Sequence, residues 1–258
     1  MKSLKDALAA GHCKFGMVIR LARTAETVAV ARKCGIDWLF IDTEHSALDF
    51  ETVQTLCLAG LASGLPPLVR VLDVAWAPRV LDIGAAGIIV PHVEDAAQAK
   101  AVAEACLYPP IGNRSLAGPM YQLGLADLPT GENMRRANEE TVVVVMLESP
   151  HAVANADEIA AVPGVDILLI GSNDLSKGLG IPGQHGDPRM EAAYRTVIDA
   201  CKRHGKQAGM AGIYNHDVMR RYISLGIRFA NAGQDMSFLV SGIRARMDFL
   251  RGLPEVAA

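Results

Sequence analysis

The chain has 258 residues, a formal net charge of −3 and a 50% hydrophobic composition, enough apolar material for a substantial core in one α/β barrel or in two smaller domains. Acids and bases are spread evenly, so no basic stripe marks a nucleic-acid or membrane-surface partner, and a small-molecule site is the function class left to look for. The five cysteines, Cys13, Cys34, Cys57, Cys106 and Cys201, are widely separated, odd in number and form no CxxC pair, which fits reduced thiols in a cytoplasmic protein better than disulfides or a cysteine-held zinc.

Taken in order, the opening "MKSLKDALAAG" sets Lys5 and Asp6 where a secretory signal needs an apolar stretch, and reads instead as a helix over Ser3–Ala10. No later run approaches the ~18 apolar residues of a membrane helix. The strand "KFGMVIR" comes next, then a helix over Thr24–Lys33, the strand "DWLFIDTE", a helix over Phe50–Ser63 and the strand "PPLVRV". A small helix inside "VAWAPRVLDIGA" leads to "GIIVPHV" and a helix over Asp95–Ala105. After a long excursion, "TVVVVMLE", a helix over Pro150–Ala160, "VDILLIGS" and a helix over Met190–His204 follow. The series closes with "KQAGMAG", a helix over Asp217–Leu225, "IRFANAG" and a last helix over Asp235–Leu250.

Several strand runs are continuous aliphatic stretches, the pattern of parallel strands buried on both faces. Eight of them alternating with helices predict a (β/α)8 TIM barrel, one domain over residues 1–258, with the first and last helices as additions. An open doubly wound sheet is the alternative, but no GxGxxG opens a helix after the first strand. The excursion from Tyr108 to Asn138 is too long and too rich in Gly and Pro for a plain barrel loop. It is expected to serve function or to contact a neighbouring subunit.

In such a barrel the reacting groups sit where strands end. The second strand ends in Asp42, Glu44 and His45, the third in Arg70, the fourth in His92, the fifth in Glu148, and the sixth in "GSND" with Asp174 last. A carboxylate behind "VVVVML" is nearly buried and calls for a cation. Glu148 and Asp174, on adjacent strands with no histidine or cysteine beside them, suit a hard ion such as Mg2+ or Mn2+; a salt bridge from each acid to a barrel arginine is the competing reading. The N–H groups of Gly171, Ser172 and Asn173 can cradle a carboxylate or phosphate, or these residues simply cap the next helical turn. Arg70 can hold a substrate carboxylate or an enolate oxygen, or pair with Glu44. His45 can act as general base if a carboxylate orients it. No lysine projects from a strand into the barrel, so carbon–carbon chemistry here needs a metal rather than a Schiff base.

The stretches "DWLFIDTEHSALDF", "LVRV", "LDIGAAGIIVPHVEDAAQA", "YPPIGNRSLAG", "MLESPHAVANADEIAAVPGVDILLIGSNDLSKGLG" and "AGQDMSFL" together resemble the metal-dependent pyruvate aldolases of the 4-hydroxy-2-oxoheptanedioate / 2-dehydro-3-deoxyglucarate aldolase family. The resemblance runs from about Leu4 to Leu250. It implies a barrel of the phosphoenolpyruvate/pyruvate-binding type, assembled as a homohexamer with C-terminal helices exchanged between subunits. It implies Glu148 and Asp174 as ligands of a divalent ion (Mg2+, Mn2+ or Co2+), His45 as base, Asp82 as the partner orienting His45, and Arg70 as stabiliser of the transition state. The backbone of Gly171, Ser172, Asn173 and Asp174 would cradle the carboxylate of a 2-oxo acid, and an aldehyde would be its partner. Met146 departs from the family's usual glutamine, and the segment between Arg70 and Asp82 is shorter than usual. The implied reaction is reversible aldol cleavage, with oxaloacetate decarboxylation as a side activity. The alternatives are a CoA-ester lyase of the citrate-lyase-like type, and a non-catalytic binder of metal and oxo acid.

Overall fold

A computed structural model of the chain describes residues 3–253. Eight parallel strands close into a barrel in sequence order, as the alternation of runs predicts. They are β1 (Lys14–Ile19), β2 (Trp38–Asp42), β3 (Pro67–Arg70), β4 (Gly87–Val90), β5 (Val142–Leu147), β6 (Ile167–Gly171), β7 (Gln207–Ala211) and β8 (Phe229–Gln234). The helices between them include α2 (Ala25–Lys33), α3 (Phe50–Ser63), α4 (Ala77–Asp82) and α5 (Ala96–Cys106), preceded by α1 (Leu4–Ala9).

Alternation along each strand sorts side chains into two layers. On β2, Leu39 and Ile41 face the helices and join the large outer core, whereas Trp38 and Phe40 fill the barrel interior with Val18, Leu68, Val144, Met146 and Phe229. Leu4 and Leu8 of α1 belong to the same interior cluster and plug the barrel floor. Trp38 stacks on Phe229 with ring centroids 3.9 Å apart, and β1 passes this pair at Gly16, where any Cβ would fall inside the Trp38 ring. Two residues beyond the last inward apolar side chain, each strand reaches the barrel mouth. That parity delivers Arg20 after Val18, Asp42 after Phe40, Arg70 after Leu68 and Glu148 after Met146.

Two elements differ from the predicted pattern. The helix expected over Pro150–Ala160 is two short helices, α7 (Pro150–Ala154) and α8 (Ala156–Ala161); Asn155 separates them and donates its side-chain amide to the Glu94 carbonyl at 2.9 Å. The 108–138 excursion ends in a helix, α6 (Thr130–Glu140), and Asn138 clamps it to its own start through the Tyr108 backbone, at 2.8 and 3.0 Å. A short helix, α9 (Ser172–Gly178), follows β6 directly. The remaining helices are α10 (Pro188–Arg203), α11 (His216–Leu225) and α12 (Asp235–Arg251). No α12 residue is buried, and Phe238, Leu239, Ile243 and Phe249 are exposed on it.

Candidate active site

Asp42 is the electrostatic anchor of the mouth. Its carboxylate is fully buried and accepts Nε and a terminal nitrogen of Arg70 at 2.9 and 2.7 Å, Nε of Arg20 at 2.5 Å, and the backbone N–H of Glu44 and His45. Burial works to raise its pKa, but the hydrogen bonds and charges of Arg70 and Arg20 outweigh it and hold the carboxyl below its ordinary value. Arg70, only 6% exposed, sends its other terminal nitrogen to Glu44 at 2.8 Å, an ion pair without the alignment of a good hydrogen bond, and lies over the Phe40 ring at 5.2 Å. The pairing with Glu44 considered from sequence therefore exists, with Asp42 as a second and stronger partner.

Glu148 is in the opposite situation. Burial raises its pKa, against the opposing pull of the His92 backbone and ring. Its Oε2 accepts the His92 N–H at 3.0 Å and lies 3.2 Å from His92 Nδ1, while Nε2 of the same ring is 3.2 Å from Glu44. His92 has φ of 56°, a left-handed conformation that few side-chain-bearing residues adopt, and in it the N–H faces the carboxylate. Among the described residues no arginine or lysine forms an ion pair with Glu148. Gly171 at the end of β6 makes room for this side chain, since a Cβ there would collide with the Glu148 carboxylate.

Asp174, in the first turn of α9, has a half-exposed side chain whose nearest cation is Lys177 at 3.9 Å. Neither acid is thus paired with a barrel arginine. No three-residue cluster of His, Cys, Asp or Glu poised for metal occurs among the described residues, so the protein offers two carboxylates and leaves other positions open. That donor set fits Mg2+-type ions, which bind through one or two carboxylates and keep water or substrate on the rest. The charge-poor burial of Glu148 is the structural feature that a cation would relieve.

One cavity at the mouth is bordered by Arg20, His45, Arg70, Glu148, the Gly171–Asp174 turn, Tyr214, Asn231 and Gln234. The N-cap of α9 is Gly171, and no side chain caps the helix. Ser172 is fully buried with its hydroxyl bonded to Tyr194 at 2.7 Å, so that hydroxyl is already committed. Met146 also borders the cavity and presents no polar group there.

The structure brings His45, Arg70, Glu148 and the Gly171, Ser172, Asn173, Asp174 turn together, but not Asp82. The Asp82 carboxylate bonds Arg114 at 2.7 Å, whose side chain is wholly buried and packs over the Tyr108 ring at 4.9 Å. A buried guanidinium demands a counter-charge, and Asp82, at the end of α4, supplies it. His45 is half-exposed, and the carboxylate beside it is Glu44, 3.8 Å from its Nε2. Arg20 and Asn231 are cavity residues that the sequence reading passes over. Their signal is parity: each lies two residues beyond an inward apolar side chain, Val18 and Phe229.

The family described as HpcH/HpaI aldolase/citrate lyase matches residues 15–241. A 4-hydroxy-4-methyl-2-oxoglutarate aldolase of Hapsidospora irregularis is 40% identical over 245 residues, covering 93% of this chain and 91% of that one. A 4-hydroxy-2-oxo-heptane-1,7-dioate aldolase of Salmonella arizonae is 33% identical over 248 residues, covering 94% and 92%. The crystal structure of an HpcH/HpaI aldolase from Desulfitobacterium hafniense DCB-2 superimposes with a TM-score of 0.92 at 28% identity, covering 98% of both chains. No helix among the described residues is long and apolar enough to cross a membrane.

Proposed function

Since this chain belongs to the HpcH/HpaI aldolase/citrate lyase family and is a carbon–carbon lyase of the pyruvate-aldolase type, we propose that it reversibly cleaves 4-hydroxy-2-oxo acids at its barrel mouth, giving pyruvate or hydroxypyruvate and a carbonyl partner. The observation that carries this reading is a buried carboxylate lacking an ion-pair partner among arginines and lysines, Glu148, in one cavity with Asp174, His45 and Arg70. A divalent ion held by Glu148 and Asp174 would supply Lewis acidity, drawing electrons from the 2-oxo group so that the adjacent carbon can carry negative charge.

The rest falls to this chain's own residues. Backbone N–H groups of the Gly171–Asp174 turn hold the 2-oxo acid's carboxylate. His45 Nε2 takes the proton of the C4 hydroxyl as the C3–C4 bond breaks, with the Glu44 carboxylate 3.8 Å from that nitrogen. Arg70, locked by Asp42 and Glu44, offers an immobile positive charge to the oxygen on which charge builds, a contribution of about 3 kcal/mol by comparison with oxyanion sites. Within one chain Asp82 is committed to Arg114 and lies outside the cavity that His45 borders. Oxaloacetate decarboxylation, which passes through the same enolate, is the expected side activity.

Assembly is part of the proposal. The unburied apolar residues of α12 support exchange of this helix between copies in a homo-oligomer, with a hexamer as the form the family resemblance implies. The CoA-ester alternative would need a basic groove for the CoA phosphates; of Arg114, Arg135 and Arg136, the first is buried on Asp82 and the second is paired with Glu132 and Glu139. The test of the reaction is pyruvate release from a 4-hydroxy-2-oxo acid by metal-depleted protein, expected to return only when a divalent ion is added back. The dicarboxylic 4-hydroxy-4-methyl-2-oxoglutarate, for which the Hapsidospora relative is named, is the first substrate to try.

A further inference from the structure

Arg20 follows β1 on the inward face that Val18 occupies, and borders the cavity that contains Glu148 and Asp174. Its Nε is committed to Asp42, but its two terminal nitrogens meet no acceptor among the described residues, and its side chain is 28% exposed. Arg70 differs: all three of its nitrogens have carboxylate partners. Arg20 is therefore the guanidinium of this cavity with donors to spare.

Its backbone is fixed as well. The N–H groups of Arg20, Leu21 and Ala22 all donate to the carboxylate of Asp235, the first residue of α12, at 3.2, 2.9 and 2.8 Å. Asp42 at the tip and Asp235 at the base hold the arginine in place before a ligand arrives, which lowers the ordering cost of binding. On the adjoining β8, Asn231 is 3% exposed and borders the same cavity beside Gln234.

In the closed ring β1 lies across the mouth from β5 and β6. A substrate whose C1 carboxylate and C2 oxo group sit over β5 and β6 extends its C4 end toward β1 and β8. We propose that Arg20 is the specificity-determining residue for that end, binding a carboxylate carried on C4, so that the carbonyl partner is itself a 2-oxo acid. The planar fork of terminal N–H groups matches a carboxylate, and Arg70, the other arginine bordering the cavity, has its nitrogens committed. With 4-hydroxy-4-methyl-2-oxoglutarate, the C3–C4 bond breaks, the C4 hydroxyl gives up its proton and becomes a ketone, and the electron pair stays with C3, which then takes a proton. Two pyruvates result, with no net oxidation. This inference rests on the pyruvate-aldolase reading.

The test measures kcat/KM for 4-hydroxy-4-methyl-2-oxoglutarate and for 4-hydroxy-4-methyl-2-oxopentanoate, in which methyl replaces the distal carboxylate. Unmodified protein, Arg20→Gln and Arg20→Lys are compared with the same divalent ion. The unmodified protein is expected to favour the dicarboxylate by about 100-fold, Arg20→Gln to lose that preference, and Arg20→Lys to keep part of it. No preference in the unmodified protein, or equal losses on both substrates in the variants, overturns the assignment. If the unmodified protein releases pyruvate from neither substrate with any divalent ion, the reaction itself has been misread and the assignment falls with it.

Discussion

Asp42 and Arg70 are register partners on neighbouring strands, and their side chains meet in a buried two-point pair with distances of 2.9 and 2.7 Å. The pair joins the fold to the chemistry, because the strand pairing that closes the barrel also aims the guanidinium.

Asp42→Asn leaves two guanidiniums facing a neutral amide, and it is expected to destabilise the protein by about 3–5 kcal/mol as measured by chemical denaturation at pH 7. The pH dependence has a definite sign. The folded-state pKa of Asp42 is lowered, so its contribution is present above the unfolded value of about 3.9 and is lost as pH falls through the lower folded value. The variant should lack that part of the acid-side loss.

Glu148 gives the reverse expectation. Its pKa is raised by burial, so ionisation costs stability as pH rises from about 4 through the elevated folded value, and the cost remains above it. Glu148→Gln keeps an acceptor for the His92 N–H and removes the charge. Thermal melts at pH 7 without divalent ions should therefore show a higher Tm than the unmodified protein. Adding Mn2+ should raise the Tm of the unmodified protein alone, and a variant that melts lower without metal and still responds to Mn2+ would contradict the role given to Glu148.

Gly171→Ala places a methyl group where the Glu148 carboxylate lies. A displaced carboxylate is expected to lower kcat/KM for aldol cleavage about 100-fold and to weaken Mn2+ binding in a calorimetric titration. Unchanged metal affinity would mean that Glu148 does not hold the ion.

Much of this is legible in the sequence. Continuous runs such as "VVVVML" mark the strands, and charged residues directly behind them mark the mouth, which is how Glu148, Arg70 and Asp174 are found. Arg20 is hidden because an arginine closing "KFGMVIR" looks like an ordinary strand end; only its alternation with Val18 turns it inward. The partner of Asp82 is hidden for another reason. Arg114 reaches it from a loop whose path depends on tertiary contacts, including the clamp of Asn138 on Tyr108. The helix α6 escapes notice because it buries only Asn133 and Ala137 and its sequence, "TGENMRRANEE", is mostly polar and charged.

His45→Ala separates catalysis from binding. Turnover of a 4-hydroxy-2-oxo acid is expected to fall between about 10^2-fold and 10^4-fold, while pyruvate affinity, read by calorimetry in the presence of divalent ion, stays within a few fold. A protein that only binds oxo acids would have no turnover to lose.

The most direct measurement is exchange of the pyruvate methyl protons with deuterium oxide, followed by NMR, using metal-depleted protein, protein reloaded with Mg2+ or Co2+, and Glu148→Gln under the same conditions. Exchange that requires both the ion and Glu148 is the predicted result. Exchange that proceeds equally without metal, or equally in Glu148→Gln, would contradict the metal-stabilised enolate at the centre of this account.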